Sequence, residues 1–182
     1  LSIIDELESF HFKYNPALAN QIISEELEKV GAEKINGLWY YNEEQIEITF
    51  FIRSDDPVRK SIGEILSSEL ERVGFKVSKD YGDLNKAFVV VYGSNPADQK
   101  WHIYTEGWGS SGFAKYDSVG LAQMYSPWFS NMPGNNDPTY WNYKNDYIDS
   151  ITKKIYVSDF KSSDERSSLI KQATKEGVSE SV

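Results

Sequence analysis

The stretch QIEITFFIRSDDPVRKSIGEILSSELERVGFKV, residues 45–77, predicts a strand, a helix and a second strand in succession. In its first part apolar and polar residues alternate, and residues 50–52 are then all apolar, which is typical of a strand entering a core. Asp55-Asp56-Pro57 is a capped helix start, and Gly74 supplies the helix end. Residues 75–77 then indicate the second strand. This order predicts a right-handed crossover unit in a parallel sheet.

The flanking sequence extends the same pattern. Asn15-Pro16 predicts the start of a helix that ends at Gly31, followed by a turn at Asn36-Gly37. Beyond the central stretch, 84–91 suits a helix and 101–105 a further strand. Together these elements predict a single α/β lobe over residues 1–182.

The second half of the chain differs from the first in composition and in hydrophobic periodicity. Gly, Ser, Pro and Asn punctuate the segment from 107 to about 142, which predicts a long loop with a short helix near 121–124. Two helices are predicted to follow, Asp146 to Tyr156 and Ser163 to Lys175. The polar tail 177–182 is expected to fray.

Composition excludes several classes of function. The net charge is -9, with 28 acidic residues against 19 basic ones, so we expect neither nucleic acid nor an anionic membrane surface as a partner. The chain has no cysteine, and His11 and His102 are its only histidines, which leaves little for thiolate chemistry, a catalytic triad or a metal site. We therefore predict no cofactor, no bound metal and no catalytic residue.

Large rings are concentrated beside the predicted edge of the sheet. Twelve of the chain's 26 aromatic residues lie between Trp101 and Tyr147, and Gly107, Gly109 and Gly112 would let a backbone approach a ligand closely. Ligands of open α/β sheets bind outside the carboxyl ends of the strands. The predicted ligand-binding residues are Glu106, Trp108, Gly109, Ser110, Ser111, Tyr125, Trp128, Tyr140 and Trp141.

Other interpretations of the same residues are weaker. The glycine-rich run 107–112 lacks the lysine of a phosphate-binding loop. Glu106 with Asp117 could form the carboxylate pair of a carbohydrate-active hydrolase, but the sequence does not fix their separation. Asp55 and Asp56 could bind a metal, although helix capping is the simpler interpretation. We predict a binding module and not an enzyme.

The order of the motifs resembles the second lobe of the family 5 extracellular solute-binding proteins, the peptide and oligosaccharide receptors of ABC importers. The matching stretches are Tyr14-Asn15-Pro16 with Ala19, Glu28 to Gly31, Gly37-Leu38-Trp39, Arg59 to Gly74, Phe75-Lys76-Val77, Tyr104 to Gly109, Asn145 with Asp149, and Asp164-Glu165-Arg166. The resemblance implies a lobe of the type II periplasmic-binding-protein fold, with a central, mostly parallel sheet flanked by helices.

The resemblance also implies a function. Such a receptor binds an oligopeptide or oligosaccharide between two lobes of one chain and delivers it to ABC permease subunits. It is extracellular or periplasmic and membrane-anchored. The present sequence is too short to hold both lobes, so it is expected to be a fragment of a larger protein. A ligand-sensing ectodomain would share these features.

One departure from the family pattern bears on the solute. Peptide-binding members carry an Asp just after the turn that here reads Gly107-Trp108-Gly109, and it pairs with the α-amino group of the peptide. The matching stretch here is Ser110-Ser111-Gly112, and a neutral hydroxyl cannot supply that charge-assisted bond. A neutral solute such as an oligosaccharide is therefore at least as well supported, although Glu106 or Asp117 could provide the charge from another position.

Overall fold

The computed structural model describes residues 2–8, 13–107, 119–129 and 143–180. The chain divides into two compact units, a sheet unit of Lys13–Gly107 and a helical unit of Leu1–Phe12 with Trp108–Val182. The prediction of a single lobe over residues 1–182 stays a prediction.

The described helices and strands are numbered in chain order. The helical unit contributes the first, α1 (Ser2–Glu8). In the sheet unit the order is α2 (Pro16–Lys29), β1 (Glu33–Ile35), β2 (Leu38–Tyr41), β3 (Glu44–Gln45), β4 (Glu47–Arg53), α3 (Pro57–Val73), β5 (Lys76–Gly82), α4 (Leu84–Ala87), a π-helical turn (Phe88–Tyr92), a 3-10 turn (Pro96–Asp98) and β6 (Ile103–Tyr104). The helical unit continues with α5 (Gly120–Tyr125), a 3-10 turn (Pro127–Phe129), α6 (Asp146–Tyr156) and α7 (Ser163–Glu180).

A small antiparallel sheet follows α2. Asn15 caps α2 by accepting the backbone N–H of Leu18 at 3.0 Å, as its sequence predicts. Strands β1, β2 and β3 then form an antiparallel meander in that order. The predicted turn at Asn36-Gly37 joins the first two strands, and both its residues have positive φ, 51° and 84°. Such a turn matches the twist of a two-residue hairpin, but the meander itself was not predicted.

The larger sheet of the unit is parallel, which confirms the predicted fold class. Its strand order is β5-β4-β6, with β4 parallel to both neighbours. Phe50, Phe51 and Ile52 of β4 are fully buried. Phe51 packs with Ala87 and its neighbours from the helical turns after β5. The central strand therefore forms the core of this unit.

The buried residues of helix α3 are two small ones, Gly63 and Ser67, and Val73 at its C-terminal end. Asp56 caps it, Gly74 ends it with φ 110°, and a methyl group added at Gly63 would lie 2.7 Å from the side chain of Ile52. The sequence predicts one apolar face of α3 from residues at helical spacing, Val58, Ile62, Ile65, Leu66, Leu70 and Val73. Four of these side chains are exposed, Val58 at 68%, Ile62 at 53%, Ile65 at 63% and Leu66 at 38%, whereas Val73 is buried. The helical period was predicted correctly, but the buried face is the one that carries Gly63 and Ser67.

The helical unit has its own apolar core. Ile148, Ile151 and Ile155 of α6 pack on Ala173 of α7, as the spacing of the isoleucines predicts. Helix α7 runs to Glu180, within the tail 177–182 that is expected to fray, and that expectation stays a prediction. The short helix expected near 121–124 is α5. Within the described ranges, no helix combines the length and the apolarity needed to cross a membrane.

Candidate functional site

The carboxyl ends of the three parallel strands meet at one edge of the sheet. The strands end at Arg53, Gly82 and Tyr104, and the residues that follow each end carry charged side chains. This is the edge where ligands bind in open α/β sheets. We call residues 53–56, 80–83 and 104–107, with Arg59, Lys86 and Tyr92, the carboxyl edge.

Glu106 is held by several groups within the sheet unit. One carboxylate oxygen accepts the hydroxyl of Tyr92, and the other accepts the backbone N–H of Gly107 at 2.7 Å. The Arg59 Nη1 atom lies 3.9 Å from Oε1 of the carboxylate. Only 26% of the Glu106 side chain is exposed. The carboxylate therefore already has charged and hydrogen-bonding partners within its own unit.

Arg59 connects helix α3 to the chain that leaves β6. Its Nη2 atom donates to the carbonyl oxygen of Gly107 at 3.0 Å, and its Nε atom lies 3.5 Å from Asp56. A methyl group added at Gly107 would lie 2.7 Å from Arg59 Nη2. Gly107 thus permits the guanidinium to approach the backbone at the start of the glycine-rich run.

A second arginine stabilises the end of β4. Arg53 is buried and donates through Nε and Nη2 to the two carboxylate oxygens of Asp55, at 2.7 and 2.8 Å. Its Nη1 atom donates to the Tyr104 hydroxyl at 3.1 Å, and its backbone N–H donates to Thr105 Oγ1 at 2.9 Å. The hydrogen bonds from Arg53 lower the pKa of Asp55. The bidentate pair fixes the loop after β4 to the end of its own strand, and the bonds to Tyr104 and Thr105 join that strand to the end of β6.

Burial affects the two tyrosines beside Glu106. It raises the pKa of Tyr104. The pKa of Tyr92 is raised well above its usual range, first by burial and then by the hydrogen bond to Glu106. The two rings also pack edge to face, with centroids 6.1 Å apart. Both hydroxyls therefore stay protonated. The Tyr92 hydroxyl donates to Glu106, and the Tyr104 hydroxyl accepts from Arg53.

The remaining acids of the carboxyl edge are also partnered. Asp56 accepts the backbone N–H groups of Val58 and Arg59 at 2.9 and 3.1 Å, which is the predicted capping role. Asp80 pairs with Lys86, and Asp83 accepts the backbone N–H of Lys86 at 2.9 Å. Among the described residues, no cluster of three acidic or histidine side chains is suited to a metal ion.

The predicted binding residues have different places in the structure. Glu106 lies at the carboxyl edge, as predicted. Six others lie outside the described residues: Trp108, Gly109, Ser110, Ser111, Tyr140 and Trp141. Tyr125 and Trp128 belong to the helical unit.

Tyr125 and Trp128 make contacts typical of internal packing. The ring of Tyr125 lies directly against Gly177 of α7, where an added methyl group would overlap it. The indole N–H of Trp128 donates to Thr152 Oγ1 at 2.8 Å. Trp128 also packs edge to face on Phe129, with ring centroids 5.4 Å apart. Both rings therefore contact other residues of their own unit, and their predicted role in ligand binding stays a prediction.

Sequence reasoning missed Arg53, Arg59, Tyr92 and Tyr104 as residues of the edge. One signal was present, because an arginine at the end of a buried apolar strand needs a partner for its charge. Nothing in the sequence identified Asp55 as that partner.

No protein-family model matches the sequence, and no curated protein sequence matches it. Several solved structures match its fold. NikZ from Campylobacter jejuni, in complex with Ni(L-His), aligns with a TM-score of 0.62 and 20% identity over 88% of this chain and 29% of its own. The oligopeptide-binding protein AppA from Bacillus subtilis, in complex with a nonapeptide, aligns with a TM-score of 0.61 and 17% identity. The alignment covers 89% of this chain and 29% of AppA.

A third match carries a sugar. The periplasmic binding protein MelB from Agrobacterium fabrum, in complex with stachyose, aligns with a TM-score of 0.62 and 16% identity over 90% of this chain and 24% of its own. The chain therefore has the fold of part of these proteins and spans less than a third of the length of each. The resemblance inferred from the order of motifs is confirmed at the level of the fold.

Proposed function

We propose that this chain is one lobe of an extracellular or periplasmic solute receptor of the oligopeptide-type ABC importers. The observation that carries the proposal is the fold match to AppA and MelB, which were solved with a nonapeptide and with stachyose, over 89% and 90% of this chain. The motif order in the sequence supports the same assignment. The receptor binds an oligopeptide or an oligosaccharide and delivers it to permease subunits.

The proposed contact residues follow the carboxyl edge in the sequence. Glu106 and Gly107 are fixed by Arg59, so the chain leaves β6 from an anchored position. The residues that follow supply an indole, two backbone-exposing glycines and two hydroxyls: Trp108, Gly109, Ser110, Ser111 and Gly112. Rings with a polar edge, together with hydroxyls, suit sugar faces and peptide side chains alike.

The proposed contact set has a second part. Tyr140 and Trp141 complete it as further rings. Tyr125 and Trp128 also stay predictions, but their contacts with Gly177 and Thr152 favour a structural role for them.

Closure of two lobes around the solute is the proposed mechanism. A solute that contacts both lobes stabilises the closed form over the open one, and the closed form is what the permease recognises. The second lobe, the membrane anchor and the permease contacts belong to the larger protein that this proposal requires. No group in the described carboxyl edge favours hydrolysis over binding.

Tryptophan fluorescence of the intact protein tests the proposal. We expect stachyose or a peptide to change the emission of the protein saturably, and we expect Trp108→Phe to remove most of that change. Trp101→Phe is the matched control, because Trp101 packs against the buried cluster around Phe51. No saturable change with either probe up to millimolar concentration would refute the receptor assignment.

A further inference from the structure

We infer that the carboxyl edge selects a solute without a positive charge at this contact, because Glu106 is an internal counter-ion and not a ligand-binding group. This inference deepens the proposed function and rests on it. It reverses the sequence-based prediction that Glu106 binds ligand.

The first argument is the number of partners that Glu106 already has. Its two oxygens accept the Tyr92 hydroxyl and the Gly107 amide, and the Arg59 guanidinium lies beside them. A solute ammonium would have to displace one of these donors or share a carboxylate whose charge is already compensated. A charge-assisted bond contributes most when the acid is otherwise unpaired.

The second argument is that the other acids of the edge are also used internally. Asp55 pairs with both donors of the Arg53 fork, and Asp80 pairs with Lys86. Asp56 and Asp83 cap α3 and α4, where the helix N-termini favour negative charge. Every acid in the described edge therefore has a protein partner.

The third argument comes from the sequence that follows. From Gly107 to Tyr116 there is no acidic residue, whereas Ser110, Ser111 and Lys115 are present. Hydroxyls and backbone amides recognise the hydroxyl groups of a saccharide or the amides of a peptide backbone. The substrate class favoured at this contact is thus a neutral oligosaccharide, or a peptide bound through a part other than its amino terminus.

Calorimetry of the intact protein tests the selectivity with stachyose, a peptide with a free amino terminus, and the same peptide N-acetylated. We expect acetylation to change peptide affinity by less than about threefold, since losing a charge-assisted bond would cost about tenfold or more. We expect Glu106→Gln to leave the affinity ratio of the two peptides unchanged. Glu44→Gln, at an exposed acid of β3, is the control. A tenfold preference for the free amine that Glu106→Gln abolishes would overturn the inference.

Thermal unfolding tests the internal role of Glu106 without any solute. We expect Glu106→Gln to lower the unfolding midpoint, and to lower it less when Arg59→Gln is already present, because the two side chains interact. Strictly additive shifts would overturn the counter-ion assignment. Failure of the proposed function would look different, since the unmodified protein would then bind none of the three probes.

Discussion

Replacing Gly63 with alanine tests how α3 is held on the parallel sheet. Gly63 is buried in the middle of α3, and the added methyl carbon would lie 2.7, 2.8 and 2.9 Å from three side-chain carbons of Ile52. Ordinary carbon contacts are about 3.5–4.0 Å, so either Ile52 or the helix must move by nearly 1 Å. Ile52 is fully buried in the central strand and has little room to give.

The expected change in stability is the difference between two terms. Overpacking a close-packed core costs about 1–3 kcal/mol. Alanine gains about 1 kcal/mol over glycine inside a helix. We therefore expect Gly63→Ala to lower the free energy of unfolding by about 1 kcal/mol, measured by urea denaturation followed by circular dichroism.

The same substitution in an Ile52→Ala background isolates the cause. Ile52→Ala removes all three carbons that the new methyl group would meet, at a cost of about 2–5 kcal/mol. In that background Gly63→Ala should become stabilising by about 1 kcal/mol, because only the helix propensity remains. Ile52→Val serves if Ile52→Ala does not fold, and should weaken the penalty. A stabilising effect of equal size in both backgrounds would refute the contact between Gly63 and Ile52.

Three further predictions concern other parts of the structure. Ser67→Ala should raise the unfolding free energy by about 1 kcal/mol in urea titrations, since the buried Ser67 hydroxyl has no hydrogen-bond partner among the described residues; a gain no larger than that of exposed Ser68→Ala would contradict this. The pKa of Tyr92 is raised from 10.0, so the stability that this tyrosine contributes is full below about pH 10 and is lost as pH rises further. The free energy of unfolding, measured at pH 8, 10 and 11, should therefore fall less steeply with pH in Tyr92→Phe than in the unmodified protein. An equal fall in both proteins would argue against the raised pKa. Gly177→Ala should lower the melting temperature, because the new methyl group meets the Tyr125 ring, and an unchanged melting temperature would show that this ring is not packed there.

The local elements of the fold could be predicted because their signals are local. Asn15 and Asp56 cap helices within three residues of their own positions, and isoleucines at helical spacing identify the buried side of α6. The same reasoning failed for the face of α3. The small residues Gly63 and Ser67 allow α3 to approach the sheet closely. A prediction from hydrophobic periodicity considers only large apolar side chains and so does not find this face.

The network at the carboxyl edge could not be predicted in the same way. Arg59 and Gly107 are 48 residues apart, and they meet because β4 pairs in parallel with β6 in the register that joins Phe51 to Tyr104. The concentration of aromatic residues was visible in the sequence, but their packing was not. Trp128 was predicted to bind a ligand, which stays a prediction, and the hydrogen bond from its indole N–H to Thr152 was not visible in the sequence.

Calorimetric titration of the intact protein with stachyose and with the N-acetylated peptide, repeated on Trp108→Ala, tests the central claim most directly. If this chain is the lobe of a receptor for solutes uncharged at this contact, at least one of these probes should give saturable heat. Its affinity should fall by tenfold or more in Trp108→Ala, as expected when a central binding ring is truncated. Absence of saturable heat with both probes at millimolar concentration, or an affinity unchanged by Trp108→Ala, would contradict the account.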